Sequence, residues 1–132
     1  MMELVPLATV TLKVSRPIKV STTMMIGEIT SLEMEGERIR ASLRGQAAAD
    51  WMTATPDGYA SIDVRFTVET HDGAVIFVEY GGRFHFDTAT AYSTPRFHTG
   101  DERYAWINRI QAVGKGTFAA ADTIAYELFE LR

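Results

Sequence analysis

The sequence predicts an all-β domain, an antiparallel sheet folded as a barrel or a sandwich. Three observations carry that expectation. Apolar and polar residues alternate along several short segments, turn-forming residues recur about every ten positions, and no linker, internal repeat or low-complexity run divides residues 1–132.

Taken in chain order, segment 8–14 sets Val10, Leu12 and Val14 against Thr9, Thr11 and Lys13, and segment 37–43 sets Ile39, Ala41 and Leu43 against Arg38, Arg40 and Ser42. The longest alternation is 61–69, where Ile62, Val64, Phe66 and Val68 interleave with Ser61, Asp63, Arg65, Thr67 and Glu69. A period of two marks strands with one buried face. Further strands are expected at 24–32, 74–80, 89–94, 103–113 and 122–131. Turns are expected at Glu35-Gly36, Pro56-Asp57-Gly58, Asp72-Gly73, Gly81-Gly82, Thr99-Gly100-Asp101 and Gly114-Lys115-Gly116.

One hairpin can be placed in register. A two-residue loop at Asp72-Gly73 would put Ile76, Val78 and Tyr80 on the polar face of 61–69. A three-residue loop, His71-Asp72-Gly73, pairs Thr70 with Ala74 instead, unites the apolar residues on one face and sets Arg65 opposite Glu79. That register is the expected one, with Gly73 in a left-handed position. Segment 101–112 fits two patterns: a helix behind an Asp101 cap through Tyr104, Ile107 and Ile110, or a strand through Tyr104, Trp106, Asn108, Ile110 and Ala112. Trp and Tyr, and the glycines beyond, favour the strand.

Composition bounds the function. The chain has 46 % hydrophobic and 23 % charged residues and no cysteine, so disulfides and thiolate metal sites are excluded. The net charge of −4 and the scattering of 13 basic residues argue against nucleic acid, since Arg38, Arg40 and Arg44 are offset by Glu33, Glu35 and Glu37. No apolar stretch is long enough to span a bilayer, and the N-terminus reads as carrying no signal peptide; a cytoplasmic location is expected.

The chemistry-bearing residues are few. His85 and Asp87 share a strand face and His98 follows thirteen positions on, too sparse a set for a metal centre, so no metal is expected. There is no G-x-S-x-G elbow and no phosphate loop. Large aromatics do lie beside fixed charges: Asp50-Trp51, Tyr92 ahead of Pro95-Arg96-Phe97-His98, Tyr104 and Trp106, and the Asp63, Arg65 and Glu79 group. Such a set suits a pocket for a small, flat organic acid, and it equally suits barrel packing with a structural Arg65–Glu79 pair.

Asp50-Trp51, Pro56-Asp57-Gly58, Asp63-Val-Arg65, Asp72-Gly73-Ala74 and Phe97-His98-Thr99-Gly100-Asp101-Glu-Arg-Tyr104-Ala-Trp106-Ile-Asn108 together resemble the DUF3237 family, also called UPF0311, from about Thr9 to Glu130. The resemblance implies a closed or nearly closed calycin-like antiparallel barrel of about 8–10 strands, which makes 101–112 a strand, and a function in small-molecule transformation. The sequence departs from the family pattern at His98, where a glutamate is usual, and at His71, where an acidic residue is usual.

The expected function is a cofactor-free isomerase, cyclase or lyase that moves a proton on an aromatic or polyketide-like compound. Arg65 would hold a carboxylate or enolate, and His98, Asp50 or Tyr104 would exchange protons. Trp51, Glu79, Tyr92, Phe97 and Trp106 would line the substrate site. The alternatives are a non-catalytic, lipocalin-like binding barrel and a structural oligomer. The expected partners are a small molecule and, at most, a second copy in a homodimer, with no cofactor, nucleic acid or membrane.

Overall fold

The computed structural model describes residues 1–132. Its strands are β1 (Leu4–Val14), β2 (Ile18–Lys19), β3 (Met24–Glu35), β4 (Arg40–Leu43), β5 (Ala49–Ala54), β6 (Tyr59–Thr70), β7 (Val75–His85), β8 (Thr90–Ser93), β9 (Arg96–His98), β10 (Ala112–Ala120) and β11 (Thr123–Leu131). All pairings are antiparallel, and the ladder runs β1–β3–β5–β6–β7–β8–β10–β11 and back to β1. The sheet therefore closes as an eight-stranded barrel and leaves no long free edge. Two of its walls are interrupted strands: β4 and β5 both bridge β3 to β6, and β8 and β9 both pair with β7. No helix is long and apolar enough to cross a membrane.

The β6–β7 hairpin has the expected three-residue register. Arg65 lies opposite Glu79, the Thr70 N–H donates to the Ala74 carbonyl at 2.8 Å, and Gly73 has φ 93°. Ile62, Val64, Phe66, Val68, Ile76, Val78 and Tyr80 all point into the barrel core. The face that carries Asp63, Arg65 and Glu79 is therefore the outside of the barrel.

The two ends of the barrel differ. One is plugged by a 3-10 helix, Glu102–Arg109, with Tyr104 and Ile107 buried in the core cluster. This corrects the expectation of a strand over 101–112. Asp101 caps the helix by accepting from the Arg103 N–H, and Asn108 exchanges two hydrogen bonds with the Thr99 backbone at 2.8 and 2.9 Å. Those local bonds fix a helical turn that β propensity alone does not overcome. The Tyr104 hydroxyl donates to Asp72 at 2.8 Å, which ties the plug to the β6–β7 turn. The hydrogen bonds from Thr70 and Tyr104 hold the Asp72 carboxyl below its usual range. The other end, where the 55–58, 86–89 and 121–122 turns lie, has no such plug. Phe84 there meets Phe86 and Phe118 edge-on, at centroid distances of 5.2 and 5.9 Å.

Two expected turns are strand interiors. Gly81-Gly82 lies within β7, and Gly114-Lys115-Gly116 within β10. These glycines answer close packing instead of chain reversal. A Cβ on Gly116 would lie 2.6 Å from the Tyr126 ring, and one on Gly114 would lie 2.6 Å from Leu128 and 2.8 Å from Ser93 Oγ. At Gly82, with φ 155°, a Cβ would overlap the Tyr92 carbonyl oxygen.

Gly82→Ala is expected to destabilise the protein by about 3 kcal/mol, because backbone must move on two strands. Gly27, with nothing within 4 Å of an added Cβ, is the matched control; Gly27→Ala should be neutral or stabilising by up to about 1 kcal/mol. Urea unfolding of the two variants checks this, and equal effects would contradict the packing account.

Candidate functional site

The interior at the open end contains a carboxylate. Asp50 on β5 stands opposite Val64 on β6, and Val64 stands opposite Tyr80 on β7, so the three form one cross-strand row on the inner face. On its other side Asp50 faces Gly27 of β3. The neighbours of Gly27 on β3, Ile26 and Glu28, line the outer surface, so Gly27 faces inward, where an added Cβ would meet open space. Asp50 is thus half-buried beside an unfilled part of the barrel. Val14, Met52, Phe84 and Ile124, all partly buried against the core, and the more exposed Phe118 lie toward this end.

The local ladder accommodates Asp50. No residue pair is bridged between Asp50↔Val64 and Thr53↔Ser61, and the Asp63 N–H donates to Asp50 Oδ1 at 3.1 Å. Burial pushes the Asp50 carboxyl up to about 6; the Asp63 N–H opposes that rise and the Asp63 carboxylate adds to it. Tyr80 and Tyr126 lie deeper, with ring centroids 6.0 Å apart and edge-on. Burial raises both phenols, Tyr126 to about 12 and Tyr80 well above its ordinary value, and the nearby Asp50 charge adds to both shifts. Both hydroxyls are therefore neutral donors at any working pH. Tyr80 and Tyr126 also line a cavity of about 10 Å³ with Ser93, whose buried Oγ has no hydrogen-bond partner.

Of the residues expected from sequence, Asp50 alone sits in this interior group. Arg65 and Trp51 do come together, with the guanidinium 4.5 Å above the indole, but on the outer surface. Glu79 is outside as well and pairs with Arg96 at 3.4 Å. Tyr92 is exposed on the outer wall, where its ring meets His85 at 6.1 Å. His98 is exposed on β9, opposite Phe77. Phe97 is core, Tyr104 is bound to Asp72, and Trp106 lies on the plug beneath Arg38 at 4.6 Å. The expected site residues therefore do not form one group: alternation sends Arg65, Glu79 and His98 outward, while Asp50 faces the interior. No three His, Cys, Asp or Glu side chains are grouped as metal ligands.

Tyr80 and Tyr126 were not singled out from sequence. Their signal was available, since a tyrosine in a run of inward positions such as Ile76, Val78 and Tyr80 carries a hydroxyl into an apolar core.

The profile of the family described as "Protein of unknown function (DUF3237)" matches residues 2–131. A UPF0311 protein of Bradyrhizobium diazoefficiens is 28 % identical over 101 residues, spanning 62 % of this chain and 66 % of that protein, just under two thirds of its length. A β-barrel-like protein from Acinetobacter baumannii superposes with a TM-score of 0.89 at 25 % identity, over 100 % of this chain and 97 % of the other. A protein from Penicillium herquei described as an enzyme superposes with a TM-score of 0.70 at 21 % identity, over 98 % and 94 %. With nearly the whole length matched by the family profile and the barrel shared with solved structures, the chain belongs to the DUF3237 family.

Proposed function

We propose that this barrel is a cofactor-independent enzyme in which Asp50, facing the open interior, takes a proton from a small aromatic or polyketide-like carbonyl compound. The observation that carries this reading is the inward Asp50 beside the unfilled space at Gly27, with Tyr80 and Tyr126 below it. A half-desolvated carboxylate is ionised near neutral pH yet more basic than one in water, which suits a general base. Removal of a proton beside a carbonyl leaves negative charge on oxygen. The neutral phenols of Tyr80 and Tyr126, whose rings lie 6.0 Å apart, are the donors available to that oxygen. Return of the proton to another carbon gives isomerisation; loss of a leaving group from the adjacent carbon gives a lyase, and attack of the enolate carbon on an internal carbonyl, whose oxygen then takes the proton from Asp50, gives cyclisation. The apolar mouth suits a flat, poorly hydrated substrate. That the Penicillium herquei protein of the same fold is described as an enzyme is consistent with this reading.

Arg65, Glu79 and His98 have no part in it, because they lie on the opposite face of the wall. Tyr104 is given no proton-transfer role in this reading, since its hydroxyl donates to Asp72 at the plugged end.

A panel of phenolic and polyketide-like carbonyl compounds, assayed by mass spectrometry for conversion, tests the proposal. Asp50→Asn should lower turnover at least ~100-fold, and the wild-type rate should rise as pH passes about 6. Gly27→Leu should fold normally and block turnover, because the side chain fills the space beside Asp50. Undiminished turnover in Asp50→Asn would sink the assignment. A compound held tightly by the wild type and never converted would favour the binding-barrel alternative.

A substrate-free check follows from the same carboxyl. Its folded value of about 6 lies above its ordinary 3.8, so its protonated form is favoured by folding and its contribution to stability is lost as pH rises from about 4 to about 6. Asp50→Asn should therefore be more stable than wild type above pH 6, by at most about 3 kcal/mol given 1.36 kcal/mol per unit, and equally stable below pH 4. Urea unfolding across that range measures it; a pH-independent difference would contradict the burial of the charge.

A further inference from the structure

The outer surface of the barrel carries a groove separate from the interior group around Asp50. This groove, of about 600 Å³, lies between β2–β3 and the excursion that joins β4 to β5. Its floor is the alanine strip at 47–49, and its walls are Ile18, Ile26, Trp51 and Phe77. Ile18 and Phe77 are 48 % and 37 % exposed, so apolar surface is left open to water here.

The charges around the groove are arranged to one purpose. Along the outer face, register sets Glu28, Ala49, Arg65, Glu79 and Arg96 in one cross-strand row. Glu79 is taken by Arg96 at 3.4 Å and Glu69 by Arg44 at 2.8 Å, while Asp63, two positions before Arg65 on the same outer face, makes no ion pair. Arg65 is left with no carboxylate partner and lies flat over Trp51 at 4.5 Å. Its stem and the indole immobilise each other, so a guanidinium fork is held ready at the rim of an apolar trough. Glu28, beyond Ala49, makes no ion pair either, and it repels an anion from the opposite rim.

We propose that this groove binds a small aromatic carboxylate, with its ring on the Trp51, Ile26 and Phe77 side chains and its carboxylate on Arg65. The volume falls within the range of small-molecule sites. The unpaired Arg65 guanidinium at the rim offers a carboxylate its partner, the apolar walls select a flat hydrocarbon body, and Glu28 on the opposite rim fixes which end points to Arg65.

The protein's two tryptophans give two indole N–H signals in a nitrogen-15 correlation spectrum, and Trp106→Phe assigns them. Titration with 2-naphthoate should shift the Trp51 signal saturably and leave that of Trp106 in place. Arg65→Gln should weaken binding about tenfold, as should replacing the probe with neutral 2-naphthylmethanol. Glu28→Gln should strengthen it severalfold, and Asp50→Asn should leave it unchanged. The proposal is overturned if the Trp51 signal does not move at millimolar probe, or if Asp50→Asn weakens binding while Arg65→Gln does not. It is also overturned if the shift tracks protein concentration without probe, since the groove would then be a contact between two copies of the chain.

Discussion

The register of the β6–β7 hairpin decides which half of this protein's chemistry is inside. Its three-residue turn rests on Gly73 at φ 93° and on Thr70, whose hydroxyl accepts the Ala74 N–H at 2.8 Å and donates to Asp72 at 2.6 Å. A slip of one residue would send Ile76, Val78 and Tyr80 to water and bring Val75, Phe77 and Glu79 inward. Exposing three large buried side chains costs roughly 5–9 kcal/mol, comparable with the whole stability of a domain of this size. The pairing is therefore fixed, and with it the burial of Tyr80, the outward position of Arg65 and the row that includes Asp50.

The same turn anchors the closed end. Asp72 receives the Thr70 and Tyr104 hydroxyls, and Arg103 donates to the Asp72 carbonyl at 2.9 Å. Thr99 bonds the Val75 carbonyl at 2.8 Å while Asn108 clasps the Thr99 backbone. The residues from Phe97 to Asn108, which carry much of the resemblance to the family, thus build the plug and its hinge to the hairpin. Their polar character serves closure of one end. The opposite end, toward which Val14, Met52, Phe84 and Ile124 lie, is the one through which the proposed substrate would reach Asp50.

The strands with period-two alternation were legible because one face is apolar without interruption, as in Val10, Leu12 and Val14 or Ile62 to Val68. β5 was not, because Ala49–Ala54 mixes Asp50 and Met52 on the inner face with Trp51 on the outer, and no apolar alternation remains. The glycine pairs of β7 and β10 were misread as turns because their cause is non-local: Gly116 faces the Tyr126 ring from the next strand, and Gly82 faces the Tyr92 carbonyl across the ladder. The plug escaped the strand assignment because its determinants are side chain-to-backbone bonds between Thr99, Asp101 and Asn108, which propensity does not register. Of the site, Asp50 was legible as a carboxylate beside an aromatic, whereas its two tyrosine neighbours come from β7 and β11 and meet only in the closed barrel.

The barrel wall also separates two electrostatic regimes. Outside, Arg44–Glu69 and Arg96–Glu79 are solvent-exposed pairs in which attraction is screened and each contributes little. Inside, Asp50 has no cation, only a backbone N–H and two neutral phenols, so its charge is poorly solvated and its proton is held more tightly. A sequence selected for stability alone would place an apolar residue opposite Val64, as it does at most other inward positions. Retention of a carboxylate there works against folding above pH 6, and the open space at Gly27 leaves room in front of that carboxylate. A destabilising group with room in front of it is the arrangement expected where stability has been exchanged for reactivity.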